Sequence, residues 1–199
     1  GGLDLLDAAR SKGAYVASIH PIQSFPDFDA AVRNIPGSTF GITAQEEIKE
    51  WAISLVEDLG GIPLVVSEAD KPLYHAAACM ASNYLATLIN MAETVYGRFG
   101  LKGDDAARAF RPLIRGTLSN IESGGTIQAL TGPIARGDAG TIRKHIQALS
   151  RNLPELVDAY RSLGILTVGM AMKKKSLSGE RAAEILKILE GGPDHEHTG

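Results

Sequence analysis

Lys71-Pro-Leu-Tyr-His-Ala-Ala-Ala-Cys-Met-Ala-Ser-Asn-Tyr-Leu-Ala-Thr-Leu-Ile-Asn-Met-Ala-Glu93 carries no acidic or basic side chain between its two ends. A run of that length could span a bilayer. However, His75, Ser82, Asn83 and Asn90 would be expensive in lipid, and Pro72 opens the run, so it reads as a helix packed inside a protein. At about 100° per residue, with His75 at zero, Ser82 falls near −20°, Cys79 near 40° and Asn83 near 80°. Met80, Tyr84, Leu88 and Met91 fall between about 140° and 220°. The helix thus has an apolar back and a polar, uncharged front. Exposed helix faces are rich in Lys and Glu, so a front of His, Cys, Ser and Asn points to a semi-buried cleft. A central helix whose polar groups bond to neighbouring helices fits the same pattern.

Just ahead of this helix, near Ser67–Asp70, the chain changes character. Before it, α and β signals alternate. Leu3 to Arg10 has helical spacing and stops at Gly13. Ala14–Ile19, Ser38–Ile42 and Ile62–Val66 are short strand candidates, and Gln45–Leu59 is an amphipathic helix closed by Gly60-Gly61. After it the β signal disappears. Helices are expected over 73–99, 104–122, 138–152, 154–174 and 179–189. The expected organisation is residues 1–68 as an α/β unit, 69–190 as an all-α domain and 191–199 as a flexible tail containing Pro193, His195 and His197.

The whole chain has 199 residues, 20 Lys plus Arg against 23 Asp plus Glu, and 44% hydrophobic residues. A net charge of −3 gives no support to nucleic-acid binding, and the composition is that of a globular protein. The single cysteine, Cys79, forms no intramolecular disulfide, so a reducing, cytoplasmic setting is expected. The chain opens on Gly1-Gly2 without a Met, and the expectation is a processed or truncated piece of something longer.

Three further groups of residues could carry chemistry. His20 follows a strand directly, where open α/β sheets bind ligands, with Gln23 and Ser24 in the same loop. It could equally be a packing residue. Leu130-Thr-Gly-Pro-Ile-Ala-Arg-Gly-Asp138 puts Thr131 and Arg136 just ahead of a helix for which Asp138 is a plausible N-cap, and His145 lies two turns on. A well-capped surface turn is the plainer account. His75 and Cys79 stand at i, i+4 without further ligands at a recognisable spacing, so no metal site is expected. Lys173-Lys174-Lys175 reads as a solvated helix end. No Gly-x-Gly occurs, so neither the dinucleotide fingerprint nor a Walker loop is present.

His20-Pro-Ile-Gln-Ser-Phe25, Tyr74-His-Ala-Ala-Ala with Ala81-Ser-Asn-Tyr84, and Leu130–Asp138 with His145 occur in that order. Together they resemble uncharacterised proteins that join a Rossmann-like domain to a DUF2520 domain, within the 6-phosphogluconate dehydrogenase-like and ketopantoate reductase-like superfamily. The resemblance covers about residues 1–165. It implies a remnant of a Rossmann-like NAD(P)-binding domain whose glycine-fingerprint part is missing. An all-α, 6-phosphogluconate dehydrogenase C-terminal-like domain would follow and build a homodimer. It also implies an oxidoreductase of a small oxo or hydroxy acid, ketopantoate-like, using NADP or NAD. In that reading His75, Ser82 and Asn83 are catalytic. His20, Gln23, Ser24, Thr131, Arg136 and His145 bind substrate, and His20 and Pro21 border the cofactor. Relatives of the ketopantoate reductase kind use a Lys and an Asn on this helix; here Asn83 is present and His75 takes the nearest face. No nucleic-acid or membrane partner is expected. This chain alone would be inactive, and the alternative is a non-catalytic dinucleotide- or metabolite-binding dimerisation module.

Overall fold

The computed structural model describes residues 2–25 and 27–191. The expected tail, with Pro193, His195 and His197, therefore lies outside the described residues apart from Gly191. The architecture is a small three-stranded α/β unit of Rossmann-like kind followed by helices. The chain forms two compact units, Gly1–Ile89 and Asn90–Gly199.

In the first unit a 3-10 turn, Leu3–Leu6, leads into α1 (Asp7–Arg10), and Gly13 turns the chain with φ +87°. β1 (Ala17–Pro21) is followed by α2 (Phe28–Asn34), β2 (Thr39–Ala44), α3 (Lys49–Asp58) and β3 (Ile62–Val65). The sheet order is β1-β2-β3. β1 runs antiparallel to β2 with His20 opposite Gly41, and β2 runs parallel to β3 with Gly41 opposite Leu64. The middle strand is the buried one, and Phe40 and Ile42 pack with Ala52 and Val56 of α3 into the unit's core. β3 holds Pro63, which an edge strand tolerates because a central one would need its N–H. Gly60 closes α3 with φ +72°, and the Gly61 N–H donates to Val56 O at 2.9 Å.

α2 has no counterpart among the elements read from the sequence. It is only seven residues long, and its Phe28 and Val32 are exposed, so no apolar stripe announces it. Its start is built by Asp27, whose carboxylate accepts from the Ala30 N–H at 2.8 Å.

The charge-free run forms one continuous helical stretch. It comprises α4 (Lys71–Cys79), a π turn at Met80–Tyr84 and α5 (Leu85–Gly97). The expected helix over 73–99 is thus displaced by two residues at each end. It is also interrupted by a wider i→i+5 turn that the regular 100° projection does not contain.

α6 (Asp104–Ala129) runs past the expected end at Glu122. Ser123 is absorbed by donating its hydroxyl to Ser119 O at 2.8 Å, and the break comes at Gly125, φ 74° and ψ 165°. α7 (Ala139–Asn152) is capped by Asp138, which accepts from the Thr141 N–H at 2.9 Å and from the Thr141 hydroxyl at 2.7 Å. α8 (Val157–Lys173) and α9 (Gly179–Leu189) complete the chain, with Ser178 capping α9. Ile142, Val168, Ile185 and Leu189 form the buried centre of this unit. Gly164 lets α9 approach α8: a Cβ there would stand 2.7 Å from Leu189 Cδ2.

Candidate functional site

The end of β1 and one face of the long helix enclose an open cavity of about 520 Å³, built wholly within the first unit. His20, Pro21, Gln23 and Ser24 come from the strand end and its loop, while His75, Cys79, Ser82 and Asn83 come from the helix. The volume suits a small ligand. Six of the site residues expected from sequence, together with Pro21, are thus brought to one place. Thr131, Arg136 and His145 belong to the second unit: the first two lie in the exposed turn before α7, and His145 Nδ1 pairs with the Tyr160 hydroxyl at 2.8 Å.

The π turn decides which helical residues reach the cavity. Ser82 and Asn83 lie within it, and the widened turn rotates the positions that follow, so the lining ends at Leu85, Ala86 and Ile89. Asn90, which the regular projection placed on the polar front, is outside the lining. Ala78, Ala81 and Ala86 line the cavity, and their single methyl groups keep this side of the helix low.

His20 is held from behind by Tyr74. The Tyr74 hydroxyl donates to His20 O at 2.8 Å, accepts from the Gly41 N–H at 3.1 Å, and lies 3.3 Å from His20 Nδ1. Because the phenol has one hydrogen and the carbonyl takes it, the contact at Nδ1 requires the imidazole to carry its proton there. Nε2 is then the bare, basic nitrogen. Burial pushes the phenol above its ordinary value of 10.0, with the Gly41 bond opposing, so Tyr74 stays a donor. Burial also holds His20 below its ordinary 6.5, helped by the like charges of His75 and Lys71. Gly41 is required by this arrangement: a Cβ would stand 2.5 Å from the Tyr74 ring. Sequence reading missed both Tyr74 and Gly41. The only signal was a glycine in the middle of a strand, which marks close approach by another group.

The second imidazole, His75, is exposed, and its ring centroid stands 5.8 Å from that of His20 at 82°. Its Nε2 lies 3.7 Å from the Cys79 sulfur. Two imidazoles, a hydroxyl and an amide around one space can exchange a proton with a ligand and hydrogen-bond a carbonyl oxygen. Among the described residues, no group of three His, Cys, Asp or Glu side chains is placed to hold a metal, and no helix is long and apolar enough to cross a membrane.

A dinucleotide fits these residues only in part. The cavity has room for a small polar group, and the given sequence holds no Gly-x-Gly to form a pyrophosphate-binding turn.

The Lys173–Lys175 run also has a role that the sequence did not reveal. Lys174 Nζ donates to Gln128 O at 2.8 Å and Leu130 O at 2.7 Å, closing the carboxyl end of α6. Lys175 takes φ 60° and ends α8.

The fold and the cavity define a class: a Rossmann-like α/β unit with a cavity at a strand end, joined to a helical domain. Residues 38–167 match a family described as "Domain of unknown function (DUF2520)", and the chain belongs to that family. Protein TM1727 from Thermotoga maritima has a similar crystal structure, with TM-score 0.71 and 26% identity over 80% of this chain and 62% of that one. BF3122 from Bacteroides fragilis, described as a "putative NADP oxidoreductase", is similar in fold, with TM-score 0.62 and 19% identity over 78% of this chain and 58% of that one. The chain thus spans about three fifths of the length of each. No curated protein matches the sequence significantly.

Proposed function

We propose that the cavity is the reacting end of an NAD(P)-dependent oxidoreductase that acts on a small oxo or hydroxy acid, ketopantoate-like in size and charge. The observation that carries this reading is the pairing of His20 and His75, 5.8 Å apart, in a cavity that also presents Ser82 and Asn83. The described activity of BF3122, whose fold this chain shares, supports it. When bound, NADP or NAD would supply or accept a hydride. His75 gives or takes the proton at the substrate oxygen, the general acid–base role that imidazoles most often fill. Ser82 and Asn83 hold that oxygen by hydrogen bonds. His20 and Pro21 border the nicotinamide side, with His20 fixed by Tyr74. Gln23 and Ser24 are available to polar groups of the substrate.

The test is consumption of NADPH by the full gene product with a panel of 2-oxo acids, ketopantoate first. His75→Ala should lower kcat by about 10²–10⁴-fold while the fold is kept. Unchanged turnover in that variant removes His75 from the mechanism.

A second reading, a metabolite-binding dimerisation module, is favoured by the apolar side chains left exposed on the helices. Met80, Tyr84 and Leu88 on the long helix, Leu113 on α6 and Leu166 on α8 are all exposed. Saturable cofactor binding without turnover across the panel would favour it. Both readings include a homodimer formed through the helices, because large apolar side chains left exposed on a helix face suit an interaction site.

A further inference from the structure

A second open cavity, of about 460 Å³, lies where α2 gives way to β2, and Ile22 and Gln23 line both it and the His20–His75 cavity. This shared wall is held in place. The Ile22 N–H donates to Thr39 O at 2.7 Å. The Gln23 side chain donates to Ser38 Oγ at 3.2 Å, and its oxygen accepts from the Ser24 N–H at 2.8 Å. Ser38, only 7% exposed, is fixed in turn by donating its hydroxyl to Asn34 O. The side chains of Arg33, Asn34 and Thr39 complete the polar lining and make no hydrogen bond or ion pair among the described residues. No Asp or Glu lines this cavity, and Arg33 is the one charged group that does. The carboxylates nearest Arg33 in sequence leave it unneutralised: Asp27 caps α2 through the Ala30 N–H, and Asp29 forms no ion pair with it. A cation in its last turn suits α2, but that alone does not account for a polar cavity beside it. A guanidinium offers several donors and no acceptor, in a fork that matches a carboxylate or phosphate.

We infer that the two cavities form one extended ligand site, and that the acid bound beside His20 and His75 carries a second anionic group, a carboxylate or phosphate, which Arg33 holds. Gln23 is the joint between the two halves. Each end of its amide keeps one hydrogen-bonding position unused, so it can bond the ligand as the ligand passes over it. The inference deepens the proposed function and rests on it only for the chemistry in the first cavity. Ketopantoate carries one charge and would use that cavity alone; the second favours acids charged at both ends.

The experiment needs no turnover. The 199-residue chain is titrated with 2-oxobutyrate and with the diacids 2-oxoglutarate, 2-oxoadipate and 2-oxopimelate. NMR follows the His20 and His75 ring signals in the first cavity and the Gly37 and Thr39 amide signals in the second. The diacid of best length should move both sets saturably and bind about tenfold tighter than 2-oxobutyrate, the worth of one charge-assisted hydrogen bond. 2-Oxobutyrate should move the histidines alone. Replacing the distal carboxylate of the best diacid by an amide should abolish the gain, and replacing it by a phosphonate should keep or increase it. Arg33→Gln should bring that diacid to the affinity of 2-oxobutyrate, and Arg33→Lys, which keeps the charge without the fork, should give an intermediate value. Equal affinities across the series, diacid binding unaltered in Arg33→Gln, or no saturable binding overturns the inference. Diacid binding that depends on Arg33, with no hydride transfer by the full gene product, would leave the inference standing and remove the oxidoreductase reading. NADPH oxidation by the full gene product with equal kcat/KM for 2-oxobutyrate and the diacids would do the reverse.

Discussion

Tyr74 links the strand that carries His20 to the helix that carries His75, through one hydroxyl bonded to both the His20 carbonyl and the Gly41 amide. Tyr74→Phe leaves those two backbone groups without this partner, and chemical denaturation should show a loss of about 1–3 kcal/mol. Gly41→Ala should disturb the same link sterically. His20 also makes stability depend on pH. Its folded-state pKa lies below the ordinary 6.5, so the folded protein binds this proton less readily than the unfolded chain. The His20 contribution is therefore complete above about pH 6.5 and falls as the pH drops through 6.5 toward the folded value. Thermal melts between about pH 7.5 and 5 should show that loss in the wild type, with a flatter profile in His20→Gln. Equal slopes in the two proteins would refute the burial of the imidazole. Of these residues the sequence marked His20 by its place after a strand. It could not mark Tyr74, whose hydroxyl is used 54 residues from His20 and 33 from Gly41.

At the scale of elements, caps and closures were readable because they are local. Asp138 starts α7 and Gly60 ends α3 through contacts a few residues long. The π turn was not readable, since its residues, Met80–Tyr84, have helical propensity and nothing in their order demands a wider turn. It nonetheless sets the register in which Ser82 and Asn83 reach the cavity. The carboxyl end of α6 was hidden for another reason. Its cap is the Lys174 ammonium, which arrives from a helix 44 residues away to bond Leu130 O. Lys174→Met removes two charge-assisted bonds from backbone carbonyls, and a loss of about 1–3 kcal/mol is expected on denaturation. Lys173→Met, whose amine takes no part in this cap, should cost far less.

For the whole molecule, the α/β start and all-α continuation were legible from the disappearance of strand signals and from glycine punctuation. The exposure of the helices was not, because it depends on which elements meet. Met80 is 62% exposed and Leu113 68% exposed, values that suit side chains covered in an assembly. Sedimentation at micromolar protein should therefore give a dimer. Tyr84→Lys or Leu113→Lys should shift it toward monomer without loss of helicity, while a wild-type monomer would contradict the dimer proposal. In the proposed function the His20–His75 cavity performs proton transfer during reduction of a small oxo acid. That role is tested most directly by NADPH oxidation in the full gene product, wild type beside His75→Ala, with ketopantoate and other 2-oxo acids. Turnover is expected in the wild type, with a kcat lower by about 10²–10⁴-fold in a folded variant. No turnover with any acid in the panel, or equal rates in the two proteins, would contradict it.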